Sequence, residues 1–291
     1  MKIPDIKFSP KNHKNIGIEI IELSDIYNRL DNEEISFSTK PHRIQFHSLL
    51  YITQGHGTHF IDFITYTIQP GSVVFVKKNQ IHAFDLINKP QGKLIVFTDE
   101  FLDSISSAMK RTVFSPNHLL VSYSPSFTLA DNLIITFSTL LTEIEKELLL
   151  ESSNLAFIHL LFSASLTKLV NARPKSYELN LSEPRAKKFN QFIQLLEQNF
   201  TTTRDAITYA GMLNMTYKSL NQICKLASKQ TTKQLIDAHT ILEAKRKLAI
   251  EGIRIQQLAD DLGFDEVTNF VKYFKKNTLM TPSQFKKYNK G

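Results

Sequence analysis

Two short polar sets, one on each of two helix-like stretches near the C-terminus, carry the chemistry most directly readable in this chain. The first is Lys218, Asn221 and Gln222; the second is Thr268, Asn269 and Lys272. Asn and Gln can pair two-pronged with adenine, and Lys suits guanine or a phosphate. Lys225, Lys275 and Lys276 read as phosphate clamps, which position a protein on DNA without specifying sequence. Far upstream, His42, His47, His56, His59 and His82 crowd one short segment. Imidazoles at that density raise the question of a metal site.

The polar sets need elements to hold them, and those elements occur twice. Ala210-Gly211-Met212-Leu213-Asn214-Met215 precedes a helical stretch from Tyr217 to Lys225. Ala259-Asp260-Asp261-Leu262-Gly263-Phe264 precedes another, from Glu266 to Lys276. In each copy a small Ala lets two helices approach, Leu fills the seam, and Asn214 or Gly263 takes a left-handed turn at little steric cost. That is the chemistry of a helix-turn-helix. Leu220 and Ile223 in the first unit, and Phe270, Tyr273 and Phe274 in the second, form the apolar seam and leave the polar sets outward. A helix over Thr232 to Ile250 joins the units, with Leu235, Leu242, Ala244, Leu248 and Ala249 as packing positions. Two recognition helices reach successive stretches of the major groove only if held about one turn apart, roughly 34 Å.

Charge follows the same division. Residues 183–291 hold 18 Lys and Arg against 10 Asp and Glu, a net of +8, whereas residues 1–182 hold 17 against 18, a net of −1. The chain's +7 thus comes from its C-terminal part, the footprint of a double-stranded DNA reader joined to a neutral module. The single Cys224 excludes an internal disulfide framework and suits a reducing compartment. No apolar run is read as long enough to span a bilayer, and Lys2, Asp5 and Lys7 interrupt any leader-like core. A cytoplasmic, nucleoid-associated protein is expected, with no membrane partner.

Residues from about 35 to 98 read as β-structure, cut by turn signals at Gln54-Gly55, Gln69-Pro70-Gly71, Lys78-Asn79 and Lys89-Pro90. Strands are expected over His47–Thr53, Gly57–Phe63, Ser72–Val76 and Lys93–Phe97, a pattern of a small barrel or jelly roll. Two apolar stripes follow at helical spacing: Leu133, Phe137, Leu140/Leu141, Ile144, Leu148, and then Leu155, Ile158, Leu161/Phe162, Leu166, Val170. Residues 173–181 lack periodicity and read as a linker. Ser182 then caps a helix with Pro184 in its first turn.

The second unit carries Leu258-Ala259-x-x-Leu262-Gly263-Phe264, then Phe270-x-x-x-Phe274-Lys275-Lys276, then Thr281-Pro282-x-x-Phe285. On these motifs residues 185–288 resemble the AraC/XylS family of bacterial transcription regulators. The first unit keeps Ala210-x-x-Leu213-x-Met215-Thr216 but has Cys224 where that family commonly has Phe, and Lys229-Gln230-Thr231 where a Gly is common. Upstream, Pro41-His42-Arg43, Leu50-Tyr51-Ile52-Thr53-x-Gly55-x-Gly57, Pro70-Gly71-Ser72-Val73-Val74-Phe75 and Gln80-Ile81-His82-Ala83-Phe84 resemble the family's cupin-type effector domain. Residues 1–35 match nothing.

The resemblance implies a multidomain α and β chain. Residues 1–172 form a cupin-like β-barrel (jelly roll) with flanking helices, for effector sensing and dimerisation. Residues 173–181 are the linker, and 182–291 an all-α domain of two helix-turn-helix units on a long helix. A cupin metal site wants His-x-His, a later Glu and a third His; Ile44 stands at the second His position, and no Glu lies between residues 35 and 99. No metal, cofactor or catalysis is therefore expected, and His56 and His59 read as turn or strand-end residues. A small-molecule effector inside the barrel is the better expectation. Strand alternation nominates Phe46, Tyr51, Phe60, Phe75 and Phe84 as walls, with His42, Arg43 and His82 as polar anchors. The resemblance implies a homodimer through helices within 131–171, RNA polymerase as partner, and more often activation than repression. Control by a protein partner, or metal-dependent cupin chemistry, are the alternatives.

Overall fold

Strand β4 (His47–Gln54) is buried on both faces from His47 to Ile52, and it organises the N-terminal unit. The computed structural model describes residues 5–8, 16–32, 41–109, 124–172, 181–249 and 253–288, and the chain divides into two compact units, residues 4–174 and 175–291. Among the described residues, ten strands of the first unit form two five-stranded sheets. One sheet runs β1 (Asp5–Ile6), β3 (His42–Ile44), β8 (Ile81–Ala83), β5 (Gly57–Ile61), β6 (Ile64–Ile68); the other runs β10 (Ser126–Thr128), β7 (Ser72–Val76), β4, β9 (Gln91–Phe97), β2 (Ile18–Glu22). These layers and the helical second unit are the jelly roll and all-α pair expected from the sequence.

Period-two alternation splits the apolar side chains of β4, β7 and β9 into two cores. Leu50, Ile52, Val74, Val76, Leu94 and Val96 face the opposite sheet's Ile44 and Ile61, with helix α1 (Leu23–Asp31) adding Leu23, Ile26 and Leu30. Leu49, Tyr51, Val73, Phe75, Ile95 and Phe97 face outward onto helices α3 (Asp131–Leu149) and α4 (Leu155–Ala172), where Phe137, Ile144, Phe162 and Leu166 meet them. Helix α2 (Asp99–Met109) adds Phe101 and Leu102 to the same outer core. Gly92 holds a positive φ of 156°, and a Cβ there would lie 2.0 Å from the Tyr51 carbonyl oxygen, so only glycine lets β9 lie this close to β4.

Several boundaries differ from expectation. The strand expected to reach Phe63 ends at Ile61, because Asp62 (φ 46°) and Phe63 (φ 71°) make a two-residue turn into β6. The Asp62 carboxylate fixes that turn by accepting from Gln80 Nε2 at 2.5 Å and Ile81 N at 3.2 Å. Strands β1, β2, β3, β6, β8 and β10 and helices α1 and α2 are not among the elements expected from the sequence. The linker expected over 173–181 lies outside the described residues apart from Leu181. Among the described residues, α4 is long and apolar enough to cross a membrane, contrary to expectation, since His159, Ser163, Ser165 and Lys168 break its apolar run in the sequence. Its stripe Ile158, Phe162, Leu166 and Leu169 is committed to the outer core.

The second unit consists of α5 (Glu183–Asn199), α6 (Ala206–Met212), α7 (Tyr217–Ser228), α8 (Thr232–Ala249), α9 (Ile255–Asp261), α10 (Val267–Thr278) and α11 (Pro282–Tyr288). Ser182 occupies the N-cap backbone position of α5 but its hydroxyl makes no capping bond; Pro184 sits in the first turn as expected.

Candidate nucleic-acid interface and effector barrel

Helices α6–α7 and α9–α10 are two copies of one motif joined by α8. Asn214 (φ 53°) and Gly263 (φ 71°) take the left-handed position at the two turns. Met215 N donates to Ala210 O at 3.0 Å, and Phe264 N to Ala259 O at 2.9 Å, closing equivalent bonds around each. The repeat extends further than the sequence suggested. Both recognition helices end on a left-handed residue, Lys229 (φ 61°) and Leu279 (φ 65°). A capping box then starts the next helix, Thr231 with Gln234 and Thr281 with Gln284. Lys229 therefore does the work of the expected glycine at an ordinary left-handed cost.

The seam residues Leu220, Ile223, Cys224, Phe270 and Phe274 are buried, and Cys224 fills the position that Phe274 fills in the second unit. Burial raises its thiol to about 11, so it is a small apolar filler and not a nucleophile. Tyr273 is half-buried and donates its hydroxyl to Asp237 Oδ1 on α8 at 2.6 Å.

Of the nominated DNA-facing residues, Lys218, Gln222, Lys225, Thr268, Asn269, Lys272, Lys275 and Lys276 are all exposed. Asn221 is a correction. It is half-buried, and its Oδ1 accepts from Thr232 N at 3.0 Å, so the side chain caps the N-terminus of α8 and is not free to read a base. Its counterpart in the second helix is Val271, also half-buried. A helical face read by polarity alone cannot separate a capping Asn from a reading one.

The barrel also reassigns residues. Tyr51 and Phe75 are not interior walls: they lie on the helix-facing side, with Tyr51 Oη 2.9 Å from Ser138 Oγ and its ring edge-on to Phe137 at 5.1 Å. Phe60 alternates away from its interior neighbour Ile61 and packs near Phe63, ring centroids 6.3 Å apart. Arg43 likewise alternates away from His42 and Ile44, half-buried on the other face of β3, which removes it from the interior anchors. Phe46 and Phe84 do pack on the interior core. The nominated residues share parity along some strands but not others, because the sequence does not reveal which parity faces the opposing sheet.

Three imidazoles meet inside. His42 and His82 are directly paired across β3 and β8, with rings 4.2 Å apart. His59 Nε2 lies 3.2 Å from His82 Nδ1, and Phe84 packs at 5.3–5.4 Å from both rings. His59 was read as a strand-end residue. Its alternation with Ile61, an interior residue, was the available signal. All three are almost fully buried. Desolvation drives His59 down to about 3 and His82 well below the usual imidazole range, with the charge of His42 acting in the same direction. Both are therefore neutral near pH 7. His59 Nδ1, His82 Nε2 and the Ser48 hydroxyl on the facing sheet are buried without a hydrogen-bond partner. Unpartnered polar atoms of this kind suit a bound molecule that donates and accepts hydrogen bonds. His47 belongs elsewhere. It pairs with Asp99 Oδ1 at 2.7 Å, and Lys78 Nζ lies 2.6 Å from Asp99 Oδ2. His56 is exposed in a turn. Among the described residues no group of His, Cys, Asp and Glu is arranged to hold a metal ion.

A jelly roll joined to two helix-turn-helix units with outward polar faces is the build of a DNA-binding transcription regulator with a ligand-binding domain. Residues 29–152 match the family described as AraC-like ligand binding domain, and residues 209–288 match a helix-turn-helix domain family. The chain belongs to the AraC/XylS family. It is 19% identical over 245 residues to the HTH-type transcriptional activator RhaR of Mannheimia succiniciproducens, covering 84% of this chain and 86% of that protein. It is 20% identical over 251 residues to RhaS of an Enterobacter species, again with 84% and 86% coverage. Among solved structures, ToxT from Vibrio cholerae aligns with 84% of this chain and 90% of its own, at 18% identity and a TM-score of 0.44.

Four outcomes follow from these placements. Gly263→Val combines a β-branched residue at positive φ with a Cβ that would lie 1.7 Å from the Thr201 carbonyl oxygen. It should cost the C-terminal unit at least ~2 kcal/mol, seen as a lower urea midpoint together with lost DNA binding. Lys272→Ala should weaken DNA binding by roughly 1–3 kcal/mol with a shift in preferred base. Asn221→Ala should instead cost about 1 kcal/mol of stability and leave the selected sequence unchanged; a shifted sequence would return Asn221 to the reading face. In the barrel, folding depresses the His59 and His82 proton affinities. Their contribution to stability is therefore complete above an imidazole's ordinary value near 6.5 and declines as pH falls towards the folded values. The melting temperature of the N-terminal unit should drop between about pH 7 and pH 5, and a His59→Leu/His82→Leu variant should flatten that drop.

Proposed function

We propose that this protein is a cytoplasmic, nucleoid-associated transcription activator in which a small molecule bound inside the N-terminal barrel controls DNA binding by the C-terminal unit. The observation that carries this reading is the doubled motif with two exposed polar faces, on Lys218, Gln222 and Lys225 and on Thr268, Asn269, Lys272, Lys275 and Lys276. In this reading, residues 1–172 sense and dimerise, 173–181 link, and 182–291 read DNA. Activation is supported by the similarity to RhaR and RhaS, both HTH-type transcriptional activators, and requires contact with RNA polymerase.

His42, His82 and His59, with Phe84 and Phe46 as apolar walls, form the effector site; the unpartnered His59 and His82 nitrogens support it. The mechanism is linkage: an effector that binds one arrangement of the sensor better shifts the population of DNA-competent molecules by its differential affinity. Homodimerisation through α3 and α4 is supported by the exposed Ile135, Leu149, Leu155, Phe157 and Leu160, apolar side chains whose burial against a second copy removes them from water.

The test is binding of the purified full-length chain to the DNA upstream of its own gene, against an unrelated duplex, across a salt series. A preference of roughly 10³-fold or more at physiological salt is the expected result. Equal affinity for both duplexes with the same steep salt dependence would reduce the basic unit to a non-specific polyanion surface.

A further inference from the structure

A single connector helix, α8, holds two reading units at a distance, but one helix does not by itself fix their mutual rotation. The C-terminal unit contains a second strut. Arg204 lies in the loop between α5 and α6, ahead of the first helix-turn-helix, and reaches the turn of the second. Its Nη1 donates to Leu262 O at 2.6 Å and its Nη2 to Gly263 O at 2.7 Å. These carbonyls sit at the C-terminal end of α9, where partial negative charge collects and no intrahelical donor is left. The planar guanidinium matches two adjacent acceptors as an ammonium cannot. Its carbon also lies 3.8 Å from the centre of the Phe264 ring. The same loop touches the same turn at Thr201, whose carbonyl oxygen would collide with any side chain at Gly263.

The contact continues into the connector. Lys233 Nζ on α8 lies 3.5 Å from Arg204 O and pairs with Asp237 at 2.7 Å. Asp237 in turn accepts the Tyr273 hydroxyl of the second recognition helix. Loop, connector and second unit thus close a triangle, with Arg204 at the corner where the loop ahead of the first unit meets the second unit's turn.

We propose that Arg204 is a positioning residue that fixes the spacing and rotation of the two DNA-reading helices, and so sets the separation of the two half-sites the protein accepts. It is on neither reading face and acts through the second unit's turn. The geometry of DNA makes this consequential: one inserted base pair rotates a half-site by about 35° and moves it by about 3.4 Å, which a locked pair of helices cannot follow.

The experiment uses the full-length chain and a DNA site selected by the wild-type protein from a random-sequence duplex library. Affinities are measured for that site and for versions with one base pair inserted or deleted between its halves. Wild-type protein should lose roughly tenfold or more on either change, and Arg204→Ala should compress that penalty to about threefold or less while binding the parent site somewhat more weakly. Arg204→Lys, which keeps the charge but not the fork, should fall between. Its result decides the matter if Arg204→Ala proves unfolded by circular dichroism.

An unchanged spacing penalty in the variants overturns the proposal. So does a uniform loss across all spacings with a salt slope lower by about one charge, the signature of a phosphate contact. A wild-type site with only one half, or one indifferent to spacing, overturns it as well.

Discussion

The register of β4 between β7 and β9 is the constraint on which the N-terminal unit depends. Leu49 stands opposite Phe75 and Ile95, and Leu50 opposite Val74 and Leu94, so each rung contributes to one core or the other. A slip of one residue would exchange the sets. Aromatic side chains that now pack on α3 and α4 would crowd the space between the sheets, and the small β-branched residues would meet the helices. Because both faces are apolar, polarity does not protect the register; volume does. Tyr51, Phe75 and Phe97 fit the deep helix-covered layer, and Val74, Val76 and Val96 fit the inter-sheet one.

That division leaves room for polar groups inside the barrel. Three histidines, each almost fully buried, are an expensive content for an inter-sheet core, and desolvation resolves the expense by keeping His59 and His82 uncharged. Neutral rings are satisfied by partners that share protons, and one bond, His59 to His82, is made internally. The unpartnered His59 Nδ1 and His82 Nε2 are what distinguish this interior from a plain apolar core. They give the ligand-binding domain of this family member a polar focus made from β3, β5 and β8 together.

The C-terminal unit reaches its rigidity by repetition. Each half closes its turn with the same backbone bonds and starts its following helix with the same Thr-Gln box. The halves differ in what fills the seam and what faces outward, Cys224 against Phe274 inside and Lys218 and Gln222 against Thr268 and Lys272 outside. They differ also in their N-caps, since Asp205 and Thr216 make side-chain capping bonds and Arg254 and Glu266 make none. A common scaffold with different surface chemistry is how one chain presents two unlike reading faces.

Motifs with local causes were legible in the sequence. The two left-handed turns, the recognition helices, the connector and the strand Ser72–Val76 all follow from short-range rules, since φ preference, helical periodicity and strand propensity act within a few residues. The family resemblance and the charge asymmetry pointed to the same architecture. What the sequence left undecided depends on which surface lies opposite. It did not separate Asn221, which caps α8, from its exposed neighbours, nor place Tyr51, Phe75 and Arg43 away from the barrel interior. It also passed over His59, and gave no sign that Arg204 would reach Leu262 and Gly263. Each of these contacts joins residues distant in sequence or on separate elements. Alternation gives a strand two faces and periodicity gives a helix a stripe, but only packing decides which face meets which partner.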